Sequence, residues 1–240
     1  MKRKLTAILL LIPCILQAQL NHEMLYNAYL SEDFQIWKTV IDEAQDSKIT
    51  TKQLEELINY EYGYIGACLA LEQPNEAQRI MKVMNSHLSI LEKHHYQPAI
   101  IHLYRSALCA FKISENKWDV ISLGTQSVEY AELAYKEAPN NPLVVNLKGN
   151  MDFFRPQLLG GSKQNALYNY EKATELFETQ KQTTYNWNYL ANLLSMAQAY
   201  EKTGNLKKAE LICKKILGIA PNFKYVKNTY YPQLLEKMAK

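Results

Sequence analysis

The chain lacks four common catalytic signatures. G-x-S-x-G, H-E-x-x-H, the phosphate-cradling P-loop and G-x-G-x-x-G are all missing from its 240 residues. With them go the serine-hydrolase, zinc-protease, nucleotide and dinucleotide classes that those spacings serve. Asn-Gly and Asp-Gly, the strongest hairpin-turn dipeptides, are absent too, and strand signals are weak. Cysteine is scarce. Beyond Cys14 there are only Cys68, Cys109 and Cys213, whose separations of 41 and 104 match no zinc pattern. Each stands in an apolar helical context and reads as a small buried hydrophobe. After residue 18 no apolar run is long enough to cross a bilayer; YIGACLAL at 64–71 is the longest obvious one. These absences point away from an enzyme and call for no metal and no cofactor.

What is present begins with a leader. Lys2, Arg3 and Lys4 precede the apolar run LTAILLLIPCIL at 5–16, and Ala18 supplies a small residue before Gln19. This is the layout of a secretory signal peptide over 1–18, so the mature chain is expected to start at Gln19, in the periplasm or secreted. Cys14 invites comparison with a lipoprotein signal, but Pro13 directly before it departs from that pattern, so lipid anchoring is not expected. The chain holds 27 Lys+Arg and 24 Asp+Glu; without Lys2, Arg3 and Lys4 the balance is 24 against 24. Nucleic acid is not an expected partner of a formally neutral chain.

Helical period dominates the remainder, read as one domain over 19–240. In LANLLSMAQAYEKTGNLKKAELICKKILGIAPNF (190–223), Leu206, Ala209, Cys213, Ile216, Leu217 and Ala220 make an apolar face opposite Lys207, Lys208, Glu210, Lys214 and Lys215. Leu193, Met196, Ala197 and Tyr200 stand at W-x2-L-G-x2-Y spacing, Gly204 breaks the chain, Ala209 and Cys213 follow, and Pro221 closes the unit. This stretch resembles a tetratricopeptide (TPR) repeat. The resemblance implies an all-α, TPR-like α-solenoid, since one helix pair cannot bury its apolar face alone. Reading outward gives about four helix hairpins plus a C-terminal capping helix at 224–239. Thr50 and Gln53 form a capping box opening a helix to about 72, paired with 75–93. Further pairs span 98–113 with 119–138 and 142–154 with 162–179. Ala77, Ser127, Ala166 and Ala209 hold matching places, separated by 50, 39 and 43 residues rather than 34.

Repeat phase nominates Tyr62, Tyr104, Asn146, Asn150, Gln198 and Lys202 for the concave side. A peptide or protein partner lying along it would touch Asn150 and Gln198 together, and their alteration should spare stability. A second candidate is the loop Arg155–Ser162, where Gly160 and Gly161 permit positive φ, Ser162 caps the next helix and Arg155 is near, an arrangement able to hold an anion. The plainer reading is a tight, well-capped connection. Glu92-x-x-His95 is a single carboxylate–imidazole pair before Pro98, and a solvated helix end accounts for it better than a metal site does. Residues 141–178, with Pro156 and Gly160-Gly161 between two helices, resemble periplasmic TPR components associated with TRAP-type transporters. That likeness implies the alternative of a small apolar or carboxylate ligand held between repeats. A deep pocket would favour the carrier, an open polar groove the scaffold.

Overall fold

A computed structural model describes residues 22–45, 49–113 and 117–239; the leader, with Cys14 and the expected start at Gln19, lies outside them. Among the described residues there are eleven α-helices and no strand. They are α1 (His22–Ser31), α2 (Phe34–Gln45), α3 (Thr51–Ala70), α4 (Pro74–Lys93), α5 (Pro98–Lys112), α6 (Val120–Glu137), α7 (Pro142–Phe154), α8 (Lys163–Thr179), α9 (Trp187–Lys202), α10 (Leu206–Ile219) and α11 (Tyr231–Met238). A π-helical turn, Val226–Tyr230, leads into α11. No described helix is long and apolar enough to cross a membrane.

Local chemistry explains the boundaries. The Thr50 hydroxyl accepts from the Gln53 amide, and the Gln53 side chain accepts from the Thr50 amide, so two orphan donors are satisfied at once. The Asn141, Ser162, Asn186 and Asn205 side chains accept from first-turn amides of α7, α8, α9 and α10. Pro74, Pro98 and Pro142 open α4, α5 and α7, where no donor is lost. Helix α9 ends at Gly204, whose φ of +82° lets the Asn205 amide reach back to the Tyr200 carbonyl.

Consecutive helices pack as antiparallel hairpins: α3 with α4, α5 with α6, α7 with α8 and α9 with α10, the four pairs that the period indicates. Ala77, Ala166 and Ala209 are fully buried and Ser127 nearly so, as close helix contact requires. Residues 22–45 add a hairpin that the repeat reading does not include. It is the element that closes the molecule. Trp37 of α2 sits 5.1 Å from Trp187 of α9, Tyr29 of α1 sits 5.0 Å from Phe223, and Lys224 pairs with Glu32. The first hairpin thereby meets the last, and one continuous apolar core runs through all of them.

Candidate functional site

Helices α3, α5, α7 and α9 run in the same direction and turn one face toward each other. Glu55 and Asn59 of α3 meet Tyr96 and Tyr104 of the second hairpin at 2.5 and 2.8 Å, and Asn146 of α7 donates to Asn192 of α9 at 2.8 Å. The inward face is polar and aromatic. Asn150 donates to the Tyr62 hydroxyl at 3.3 Å and accepts from the Tyr170 hydroxyl at 2.9 Å. The rings of Tyr62 and Tyr104 lie 6.0 Å apart. Burial pushes the Tyr62, Tyr104 and Tyr170 phenols above their ordinary range, so they stay neutral hydroxyls.

Four nominated residues, Tyr62, Tyr104, Asn146 and Asn150, converge here. Gln198 and Lys202 do not. Gln198 is half-buried on α9 and Lys202 is exposed at its end. On α9 the inward positions are Asn188 and Asn192, which bond to Asn59 of α3 and Asn146 of α7. Asn59, Asn188, Asn192 and Trp187 are the members the repeat pattern overlooks. Asn188 and Asn192 stand four residues apart, one turn on a single face, which is the only local signal they carry.

These side chains fill the space they surround. The void left between Asn59, Tyr62, Tyr104, Asn146, Leu147 and Asn188 is about 10 Å³, the size of one water.

The Arg155–Ser162 loop is likewise closed on itself. The Gly160, Gly161 and Ser162 amides donate to the carbonyls of Gln157, Pro156 and Asp152. Arg155 donates to the Gly160 carbonyl at 2.7 Å and pairs with Asp152 at 3.4 Å, and Ser162 caps the Asn165 amide at 3.1 Å. Only Gly160 has positive φ. Gly161 is required for a different reason, since a Cβ there would collide with the Arg155 carbonyl. The Gly160, Gly161 and Ser162 amides and one Arg155 Nη are engaged within the loop, while the buried Arg155 Nε has no partner. Glu92 pairs with Arg105 at 2.9 Å and His95 is exposed at a helix end.

Tying the loop down thrusts its middle outward. Leu158, on a 3-10 turn over Gln157–Leu159, is 99% exposed, and Phe154 at the end of α7 is 72% exposed. Trp118 and Ile121, at the start of α6, are 95% and 81% exposed. Helix α6 packs antiparallel to α7, so these residues share the edge formed by the hairpin turns.

No protein-family model and no curated protein matches the chain. Solved structures do resemble it. The HusA haemophore from Porphyromonas gingivalis is 20% identical, with a TM-score of 0.53 over 75% of this chain and 86% of that one. BtubC (BKLC) from P. vanneervenii is 16% identical, with a TM-score of 0.43 over 87% of each chain. The haemophore shares the all-helical fold.

Proposed function

We propose that the protein is an exported, non-enzymatic binding module that engages a peptide or protein partner through the apolar rim at its hairpin turns. The observation that carries this reading is the contrast between two surfaces. Phe154, Leu158, Ile121 and Trp118 are largely exposed on one edge, while the interior is filled to about 10 Å³. Burying such side chains against a partner is favourable, at about 25 cal/mol per Å² of apolar area removed from water. On this reading the partner lies on the rim rather than along the inward face, whose polar side chains bond to one another. The basic start and the apolar run of residues 5–16 support export.

Affinity capture from the native exported fraction, run in parallel with wild type and a Phe154→Ser, Leu158→Ser variant, tests the reading. A partner retained by wild type and lost by the variant is the expected result. Equal capture by both would move recognition elsewhere. A second reading seats a small apolar ligand on the same rim, favoured by the fold shared with a haemophore. Titration with haem, followed by its absorbance on wild type and on the same variant, separates the two.

A further inference from the structure

The formal neutrality of residues 19–240 conceals a polarity along the chain. Residues 202–240 hold nine lysines and two acidic residues, Glu210 and Glu236, whereas residues 19–201 hold 15 basic and 22 acidic residues. The final stretch contains no arginine and no histidine. The fold gathers its lysines on the last hairpin. Buried Ala209, Cys213 and Ile216 turn one side of α10 inward. The opposite side presents Lys207, Leu211, Lys214 and Gly218, with Lys208 beside them, all exposed. Helix α11 returns to the α9–α10 turn, where Thr203, Leu206, Lys207 and Met238 line a shallow open depression of about 560 Å³.

Internal pairing uses only part of this charge. Lys214 meets Glu210 at 2.6 Å, Lys215 meets Glu178 at 2.5 Å, Lys224 meets Glu32 at 3.5 Å, and Lys237 pairs with Glu201. Lys208 lies 5.1 Å from the centre of the Tyr200 ring. Among the described residues, Lys202, Lys207 and Lys227 have no carboxylate within ion-pair distance.

We propose that this last hairpin is an electrostatic docking surface for an anionic phospholipid bilayer, a surface separate from the rim of Phe154 and Leu158. Three features select a lipid surface among anionic partners. The cations are all lysine, a hydrated point charge suited to a diffuse field of headgroups, without the planar fork of arginine that reads phosphate and guanine bidentately. The lysines of α10 flank exposed Leu211, and Ile219 and Leu235 are exposed nearby, so aliphatic groups would settle at the headgroup boundary. Residues 202–240 carry nine lysines against two acidic residues, an excess that leaves this end attractive to an anionic surface within a Debye length.

Co-sedimentation of the chain from Gln19, which retains every described helix, with lipid vesicles tests the proposal. Vesicles of phosphatidylcholine mixed with phosphatidylglycerol should capture it in a salt-sensitive manner, and phosphatidylcholine alone should not. Charge reversal in Lys207→Glu, Lys208→Glu, Lys214→Glu should lower capture by more than about a hundredfold, with an unchanged melting temperature. Should that variant melt early, Lys202→Gln, Lys207→Gln, Lys227→Gln should still lower capture by roughly a hundredfold. The Phe154→Ser, Leu158→Ser variant should bind vesicles as wild type does; its loss of capture would place the contact on the rim and overturn the assignment. Equal capture by neutral vesicles, capture indifferent to the lysine changes, or an oligonucleotide that outcompetes the vesicles at the same ionic strength would overturn it as well.

Discussion

Asn59 and Asn188 pair amide to amide across 129 residues of sequence. Asn188 donates to Asn59 at 2.9 Å and Asn59 donates back at 3.3 Å. Asn59 also accepts from the Trp187 indole at 3.1 Å and donates to Tyr104. One side chain thus links α3, α5 and α9, joining the first repeat hairpin to the last. Asparagine suits this place because a single amide offers both donors and an acceptor.

Replacing Asn59 with Ala would strip the Trp187 indole and the Asn188 amide of their acceptor in a region with room for one water. The expected loss is about 1–3 kcal/mol, read from urea unfolding. A change below about 0.5 kcal/mol would mean that solvent satisfies the same groups and that the pair does not hold the ends together.

Two glycines on α3 should respond in opposite directions. A Cβ at Gly63 would collide with the Trp37 ring and lie 2.9 Å from that of Trp187, whereas one at Gly66 meets nothing within 4 Å. Gly63→Ala should cost about 1–3 kcal/mol by overpacking and alter the near-UV circular dichroism of the two indoles. Gly66→Ala should stabilise by about 0.5–1 kcal/mol, because alanine is the better helix former. Equal effects would show that the indoles do not press on α3.

Asn150 and Gln198, a matched pair by repeat phase, should separate on mutation. Asn150 bridges the Tyr62 and Tyr170 hydroxyls, so Asn150→Ala is expected to cost about 1–2 kcal/mol. Half-buried Gln198 should tolerate alanine within about 0.5 kcal/mol. Thermal melts of the two single variants check this, and a neutral Asn150→Ala would restore it as a solvent-facing contact residue.

A pH dependence follows from Glu61. Its carboxylate is fully buried on α3, and His87 of α4 approaches one oxygen at 2.8 Å, off the line that a good hydrogen bond needs. Burial raises its pKa above 4.5, with the His87 contact opposing. A carboxyl raised in the folded state favours folding while protonated; that contribution is present below about pH 4.5 and is lost as pH rises through the folded value. Glu61→Gln should therefore gain stability relative to wild type at pH 7.5 and lose that advantage at pH 4. Urea midpoints at the two pH values test it, and an advantage that grows on acidification would refute the sign.

Much of the helical framework was determined by the sequence alone. Thr50 with Gln53, Pro74, Pro98, Asn141 with Pro142, Ser162 and Gly204 mark helix ends through interactions within a few residues, so their effect survives translation along the chain. Buried Ala77, Ser127, Ala166 and Ala209 were legible for the same reason, since a small residue on an apolar stripe signals close packing whatever the neighbour is. The candidate surfaces were not legible to that extent. Period names a face but not what covers it. Tyr62, Tyr104, Asn146 and Asn150 point inward as their phase indicates, yet whether they line a groove or fill it depended on Asn59, Asn188 and Trp187 arriving from elsewhere. The Arg155–Ser162 loop was visible as unusual, but only the folded chain spends its amides internally and leaves Leu158 outside. Closure itself rests on Trp37, Tyr29 and Glu32 meeting Trp187, Phe223 and Lys224. Contacts between the two ends of a chain follow from the summed geometry of every hairpin between them, and no local pattern encodes that sum.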